Sequence, residues 1–249
     1  MEPIKIIKIG GNVVDNPAAL SDFLSQFAAI EGRKILIHGG GKIATTVARG
    51  LGLQSVMIQG RRVTDQAMLD VVTMVYGGRV NKTIVAQLLQ KGVEAVGLTG
   101  VDGALVRAVR RSPQPVDYGY VGDPEQVNVR LLGALLDNDF VPVVAPLTIS
   151  TANEILNTNA DTMAQAVATA LVGRYSVELC YTFEMEGVMD RHEKLIECIT
   201  PDDFIALKAD GTVSGGMLPK IENALAAVAA GVFRVMIGRT TICELPLEG

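Results

Sequence analysis

Ile4-Lys5-Ile6-Ile7-Lys8-Ile9-Gly10-Gly11 is a short apolar run that ends in two glycines. Its β-branched residues are typical of a buried strand, and the glycines predict a tight turn directly after it. Residues 34–38 show the same pattern and are followed by Gly39-Gly40-Gly41. Between these runs, residues 17–30 have the apolar spacing of an amphipathic helix. A strand, a helix and a second strand in this order predict a parallel pair joined by a crossover.

The alternation of strand and helix patterns continues along the chain. Further strands are predicted at 94–98, 141–145, 177–182 and 234–237, further helices at 42–51, 65–76, 80–89, 130–137, 160–171, 201–208 and 217–230, and a hairpin at 104–110 and 118–121. Strands separated by single helices predict an α/β protein with three layers, α/β/α, around a mostly parallel central sheet. The polar turn near Gly173 is the candidate boundary between two lobes, residues 1–174 and 175–249.

Composition and charge exclude several classes of protein. Of the 249 residues, 49% are hydrophobic and 20% are charged, which is typical of a globular protein. A net charge of -5 with only 4% aromatic residues argues against a nucleic-acid partner. No segment reaches the roughly 18 apolar residues of a membrane span. Lys5 and Lys8 interrupt the amino-terminal apolar run, so we expect no targeting signal, no membrane association and a cytoplasmic location.

The sequence offers little material for a metal centre. Cys180, Cys198 and Cys243 are far apart and form no CxxC pair, and the chain has only two histidines. We therefore expect reduced cysteines and no metal ion held by protein side chains.

The two glycine turns are candidates for anion binding, because parallel sheets bind ligands at the carboxyl ends of their strands. Glycine has no Cβ, so backbone N–H groups can approach an anion, and a helix that starts there adds partial positive charge. A plain strand-to-helix turn is the alternative. Gly39-x-Gly41-x-x-Ala44 also matches the dinucleotide pattern, and Arg61-Arg62 would then meet a 2′-phosphate. A nicotinamide-dependent oxidoreductase therefore stays open as a rival function.

Three charged side chains suggest phosphate chemistry. Lys8 ends the first strand, where a cation can neutralise phosphate oxygens. Asn157-Thr158-Asn159-Ala160-Asp161 precedes an Ala-rich helix, which either Asn159 or Asp161 can cap. A carboxylate such as Asp161 can also hold an ammonium in place. Lys220 lies in the first turn of a predicted helix, where a cation opposes the helix dipole unless an anion is bound nearby.

Together these segments resemble the amino acid kinase family and, within it, the branch that phosphorylates N-acetylglutamate. The resemblance covers nearly the whole chain and rests on five motifs in order: 7–11, 38–41, 60–64, 157–161 and 215–220. It implies a two-lobed α/β/α subunit, usually a homodimer, with the acylated glutamate in the lobe of residues 1–174 and ATP in the lobe of residues 175–249. Mg²⁺ would accompany ATP through phosphate oxygens and water.

The activity implied by this resemblance is transfer of the γ-phosphoryl group of ATP to the side-chain carboxylate of an N-acylated glutamate, an early step of arginine synthesis. N-acetylglutamate is the default acceptor, N-succinylglutamate is an alternative, and a non-catalytic acylamino-acid sensor is another. By the same resemblance, Lys8 and Lys220 stabilise the transition state and Asp161 orients both. A carboxylate nucleophile is already ionised at neutral pH, so the reaction needs no catalytic histidine.

The resemblance also assigns the binding residues. The acylglutamate would contact Gly40, Gly41, Arg62 and Asn157, supported by Asn159, and the nucleotide would lie near Gly10, Gly11, Glu184, Gly187, Thr212 and Ser214. Phe183-Glu184-Met185 stands where the family has Ser/Thr-Asp-Val. The chain begins directly at its first strand, without the amino-terminal helix of arginine-inhibited relatives, which predicts insensitivity to arginine.

Overall fold

The computed structural model describes residues 1–58, 60–182 and 186–244. Its strands are β1 (Pro3–Ile9), β2 (Arg33–His38), β3 (Met57–Ile58), β4 (Arg61–Arg62), β5 (Ala95–Thr99), β6 (Val106–Arg110), β7 (Gly122–Val127), β8 (Val141–Ala145), β9 (Leu147–Ile149), β10 (Ile155–Asn157), β11 (Ser176–Tyr181), β12 (Cys198–Ile199), β13 (Arg234–Ile237) and β14 (Thr240–Ile242). An eight-stranded sheet in the order β12-β14-β13-β11-β1-β2-β8-β5 forms the centre. From β13 to β5 all neighbours are parallel, whereas β14 runs antiparallel to β13.

The helices are α1 (Gly11–Asp15), α2 (Pro17–Ala28), α3 (Gly41–Gly50), α4 (Gln66–Val72), α5 (Asn81–Gln90), α6 (Val129–Leu136), α7 (Ala160–Leu171), α8 (Pro201–Ala209) and α9 (Met217–Ala229). A π-helix, Thr73–Val80, joins α4 to α5, and a 3-10 turn spans Asp102–Ala104. Within the described part of the chain, no helix is long and apolar enough to cross a membrane.

Strand β1 explains how the layers assemble. Its side chains alternate between the two faces of the sheet, as the period of a strand requires. Ile4 and Ile6 are fully buried in the cluster that contains residues of α7 and α9. Ile7 and Ile9 are buried in the other cluster, with residues of α2, α3 and α5. Helices therefore cover both faces, which confirms the predicted three-layer α/β/α architecture, and the alternation assigns Lys8 to the face of α7 and α9.

Smaller strands complete the fold. A second sheet has the order β10-β9-β6-β7, and β3 pairs with β4 in a two-stranded hairpin. The predicted hairpin of β6 is present, but its second strand begins at Gly122. The reason is that Gly119 bridges to Thr64, so residues 118–121 lie against another segment. The central sheet is continuous across Gly173, because β1 pairs with β11 along its length.

The expectation about the cysteines is wrong for two of the three. Cys198 at β12 and Cys243 after β14 form a disulfide, with their Cα atoms 6.2 Å apart. The reversed direction of β14 brings them together, since β12 and β14 pair in parallel and the Cys243 N–H donates to the Ile199 carbonyl. Cys180 is a free thiol.

Candidate active site

Three side chains from distant parts of the sequence meet at the carboxyl end of β1. The Lys8 Nζ lies 2.7 Å from Asp161 Oδ1, and the Lys220 Nζ lies 3.1 Å from the same oxygen. Their side chains are only 8%, 12% and 9% exposed for Lys8, Asp161 and Lys220. The structure thus brings the three predicted residues together, with one carboxylate oxygen in contact with both ammonium groups.

Local structure accounts for the position of Asp161. The side chain of Asn159 caps α7 by accepting hydrogen bonds from the N–H groups of Asp161 (2.8 Å) and Thr162 (3.1 Å). Of the two capping residues that the sequence allowed, Asn159 therefore has this role. The cap places Asp161 in the first turn of α7, facing β1. Lys220 lies in the first turn of α9, as expected.

The three charges determine each other's ionisation. Burial opposes ionisation of Asp161, but the charges of Lys8 and Lys220 outweigh it and hold the carboxyl pKa below its ordinary value of 3.8. Burial lowers the pKa of Lys220; Asp161 counteracts this effect, and Lys8 adds to it. Two ammonium groups and one carboxylate leave the cluster with an excess positive charge, which suits an anionic reacting group.

Tyr181 closes one side of the cluster. It pairs with Lys8 in the register between β1 and β11, and the Lys220 Nζ lies 5.4 Å from the centre of its ring. Its hydroxyl donates to the Asp161 carbonyl at 3.3 Å. Burial and the nearby carboxylate raise the Tyr181 pKa well above its ordinary value, so the ring is a neutral wall. Tyr181 was not among the site residues predicted from the sequence, although it ends the strand beside β1.

A cavity of about 430 Å³ lies next to the cluster. The glycine turns, the start of α3, the β3–β4 hairpin and the segment before α7 line it, including the predicted Gly11, Gly40, Gly41, Arg62, Asn157 and Asn159. Gly10 does not line the cavity; it follows β1 directly and is the N-cap residue of α1. A Cβ on Gly60, in the hairpin, would lie 3.8 Å from the Cα of Gly216, so the hairpin approaches the turn before α9.

Arg62 is a buried cation in the cavity wall. Its guanidinium donates to the Gly41 carbonyl at 2.8 Å and to Thr45 Oγ1 at 3.0 Å, and it also contacts Ser55 Oγ. Within residues 1–58, 60–182 and 186–244, no carboxylate lies within 4 Å of it. A buried cation without a carboxylate partner favours an anionic ligand. Thr45 was not among the site residues predicted from the sequence, although it follows Gly41 by one helical turn.

The other residues near the cavity hold its shape. Asn157 Nδ2 donates to Thr64 Oγ1 at 3.0 Å, which fixes the amide next to the hairpin. Gly40 packs under Tyr76, because a Cβ at this position would lie 3.1 Å from Tyr76 Cδ1. These contacts explain why a small residue and a polar amide occur where they do. The contacts of Gly40 and Asn157 with the acylglutamate stay predictions.

Of the predicted nucleotide residues, Gly11 lines this cavity, whereas Gly187, Thr212 and Ser214 do not. Gly187 is buried against Thr240, since a Cβ there would lie 2.6 Å from Thr240 Oγ1. Thr212 accepts a hydrogen bond from Arg191 Nε at 3.2 Å, and Ser214 is exposed before α9. Glu184 lies outside the described residues. Among the residues that are described, no group of three or more His, Cys, Asp or Glu side chains is arranged to hold a metal ion.

A comparison with known families agrees with this geometry. The model of the amino acid kinase family matches residues 3–239. The chain belongs to the amino acid kinase family. An acetylglutamate kinase from Phocaeicola vulgatus is 49% identical over 239 residues, which cover 95% of this chain and 93% of that protein. An acetylglutamate kinase from Methanopyrus kandleri is 42% identical, covering 99% and 98% of the two chains.

Among solved structures, smu.665 from Streptococcus mutans superposes on this amino acid kinase with a TM-score of 0.83 at 29% identity, covering 97% and 98% of the two chains. Family membership implies use of ATP and does not favour the nicotinamide alternative. Gly39 and Gly41, on which that alternative depended, line the cavity described above. Arg62, which it assigned to a 2′-phosphate, points its guanidinium at α3.

Proposed function

We propose that this chain transfers the γ-phosphoryl group of ATP to the side-chain carboxylate of N-acetyl-L-glutamate. The observation that carries the proposal is the shared contact of Lys8 and Lys220 with Asp161 beside a cavity that contains a buried arginine. The relatives named acetylglutamate kinase, at 41% to 49% identity over most of this chain, support the same acceptor.

The acceptor has two carboxylates that need cationic or N–H partners. We assign the carboxylate that does not react to Arg62, because its guanidinium has five N–H donors and Gly41, Thr45 and Ser55 use three of them. Gly40, Gly41 and Asn157 offer backbone and amide N–H donors around the rest of the molecule, and Asn159 supports the site by capping α7. This arrangement directs the second carboxylate towards the end of β1.

The phosphoryl step uses charge rather than proton transfer. An oxygen of the acceptor carboxylate forms the new P–O bond while the bond from the γ-phosphorus to the bridging oxygen breaks, and ADP leaves with that electron pair. The two lysines offset the charge on the equatorial oxygens, and Asp161 keeps their ammonium groups apart and oriented. Mg²⁺ bound to the phosphates would supply further charge neutralisation. The carboxylate of Asp161 is already shared by both lysines.

In this proposal, ATP lies on the side of the Lys8–Asp161–Lys220 cluster that is opposite the acylglutamate. Gly10 and Gly11 would contact its phosphates at the end of β1, and Glu184, Gly187, Thr212 and Ser214 would border it. Residues 1–174 would form the acylglutamate lobe and residues 175–249 the nucleotide lobe. The support is that Lys8 and Lys220 come from opposite sides of this boundary and meet at Asp161.

We further propose a homodimer in the cytoplasm, where ATP is available. The helical stretch from α4 to α5 is one candidate interface, but most of its apolar side chains are buried in the subunit itself. Met74 is an exception, being 56% exposed beside a groove that Tyr120 and Ile155 also line. Light scattering on the purified protein tests the assembly, and a monomer at micromolar concentration would contradict it.

The activity is tested by trapping the acyl phosphate with hydroxylamine after incubation with Mg-ATP. We expect product with N-acetylglutamate, much less with N-succinylglutamate and none with unacylated glutamate. A preference for the succinyl compound would change the acceptor but keep the kinase. Absence of product from every acceptor, together with no binding of an ATP analogue, would refute the proposed function and favour a sensor.

A further inference from the structure

The residue before the Gly39-Gly40-Gly41 turn is a buried histidine that the phosphoryl chemistry does not use. His38 is fully buried at the end of β2. Its Nδ1 lies 2.7 Å from the Gly39 carbonyl oxygen, and its Nε2 lies 3.1 Å from Asn81 Nδ2. Both ring nitrogens therefore have a polar partner, and the proton position on the ring depends on what those partners can donate.

Asn81 determines that position, because its own orientation is fixed at both ends. Its Nδ2 lies 2.9 Å from the carbonyl oxygen of Val143, which can only accept. Its Oδ1 lies 3.1 Å from the Nζ of Lys82, and an ammonium can only donate. The NH₂ end of the amide therefore faces the histidine. One of its two protons goes to Val143, and the other has His38 Nε2 at 3.1 Å as a nearer acceptor than the Leu98 carbonyl at 3.4 Å.

It follows that His38 carries its proton on Nδ1. A neutral imidazole has one donor and one acceptor, and Nε2 is the acceptor here. Burial lowers the pKa of His38 to about 4, so the ring is neutral near pH 7. The Nδ1–H then donates to the Gly39 carbonyl, which is the only role left for it in this arrangement.

This hydrogen bond orients a peptide of the cavity wall. In a trans peptide the C=O and N–H groups point in opposite directions, so the Gly40 N–H points away from the ring when the Gly39 carbonyl faces it. Gly40 is buried and lines the cavity, and its N–H has no acceptor among the described residues. A buried backbone donor is rarely left unpaired, which favours a ligand as its partner.

We propose that His38 is a positioning residue that turns the Gly40 N–H towards an anionic group of the acceptor. It does so through the hydrogen bond from its Nδ1–H to the Gly39 carbonyl, and the fixed amide of Asn81 keeps the proton on Nδ1. This inference rests on the proposed function for the identity of the ligand. The π-helix before Asn81 contributes to the same arrangement, because it also carries Tyr76, which packs over Gly40.

The tautomer is measured directly, without any activity, by long-range ¹H–¹⁵N correlation on protein with ¹⁵N-labelled histidine. The chain has only two histidines, and the exposed His192 is assigned by its loss in His192→Phe. We expect His38 to show the Nδ1–H tautomer unchanged from about pH 6 to about pH 8. An Nε2–H tautomer would overturn the proposal.

Two substitutions then separate positioning from packing. His38→Phe keeps a ring but removes the donor, whereas His38→Asn loses volume but keeps an N–H close to the position of Nδ1. We expect Phe to raise the KM for N-acetylglutamate about 10-fold or more, with the KM for ATP unchanged, and Asn to be the milder variant. A purely structural role predicts the opposite order, which would refute positioning.

The controls make each failure distinguishable. His192→Phe is the same substitution at the exposed histidine and should leave both KM values unchanged. Melting temperatures of the two His38 variants show whether either has lost its fold. If the wild-type protein phosphorylates no acceptor, the proposed function fails, and the tautomer measurement still decides the hydrogen-bond chain. If the wild type is active and His38→Phe has the same KM for N-acetylglutamate, the inference about Gly40 fails while the proposed function stands.

Discussion

The Lys8 ammonium lies 2.7 Å from Oδ1 of Asp161. This contact joins the end of the first strand to the first turn of α7, and Lys220 joins the same oxygen from α9. A buried carboxylate shared by two ammonium groups is costly to desolvate, and removing one member of such a group leaves uncompensated charge. The arrangement is therefore better explained by chemistry on an anion than by stability.

Replacing either lysine should reduce the rate more than the affinity. We expect Lys8→Met and Lys220→Met each to lower kcat by roughly 10²-fold or more, because each removes charge stabilisation from the transition state. Acyl-phosphate production at saturating substrates measures the effect. Lys5→Met is the matched control, since Lys5 is exposed on the same strand. An unchanged kcat for either variant would remove that lysine from the mechanism.

Activity should fall on the alkaline side earlier than an ordinary lysine would allow. Burial lowers the pKa of Lys220 below 10.5, so its ammonium is present below that lowered value and is lost as the pH rises through it. Lys220→Arg keeps its charge at these pH values. We expect the kcat of the wild type to fall at alkaline pH. When each profile is scaled to its own maximum, the arginine variant should show no such fall. The same fall in both would assign it to another group.

Asn159 should act through the helix that it caps. Asn159→Ala removes the acceptor for the N–H groups of Asp161 and Thr162, and should lower the free energy of unfolding by about 0.5–2 kcal/mol. Asn159→Ser keeps a capping oxygen and should restore most of this loss. Urea unfolding measures both variants. Full stability of the alanine variant, with a raised KM for the acceptor, would instead indicate direct substrate contact.

Arg62 should control acceptor binding. Arg62→Lys keeps the charge but loses the planar fork, so we expect a rise of about 10-fold in the KM for N-acetylglutamate and little change in the KM for ATP. Initial rates with each substrate varied in turn measure the two constants. Arg49→Lys, an exposed change at the end of α3, is the control. Equal effects on both substrates would contradict an acceptor-specific role.

Much of the fold was predictable, because apolar runs and helical periodicity are local signals. The strand and helix around Lys8 and Asp161 follow from β-branched residues, glycine turns and a polar segment before an Ala-rich helix. The rule that parallel strands present their carboxyl ends at one edge predicted a binding position for Lys8 alone. The resemblance to the amino acid kinase family implied that Asp161 and Lys220 join it. Which residue capped α7 was not predictable, because Asn159 and Asp161 both suit that position until the backbone is known.

Other features depend on contacts that leave no local signal. Strands β9 and β10 have only three residues each, and the pairing that defines them is tertiary. His38 and Asn81 are distant in the sequence, and no periodic pattern of residues predicts their contact. The reversal of β14 was not predicted, and with it the pairing of Cys198 and Cys243 was missed.

The disulfide should stabilise the edge of the sheet that carries β12 and β14. Closing a loop with a sequence separation of 45 between Cys198 and Cys243 is expected to raise the free energy of unfolding by about 2–4 kcal/mol, because it restricts the unfolded chain. We expect a reductant to lower the melting temperature of the wild type and to have no effect on Cys198→Ser. Cys180→Ser, at the free thiol, should respond like the wild type. A cytoplasm reduces most disulfides, so thiol trapping in freshly lysed cells measures how much of the bond forms there. Equal melting temperatures with and without reductant, in protein shown by mass spectrometry to be oxidised, would contradict a stabilising role.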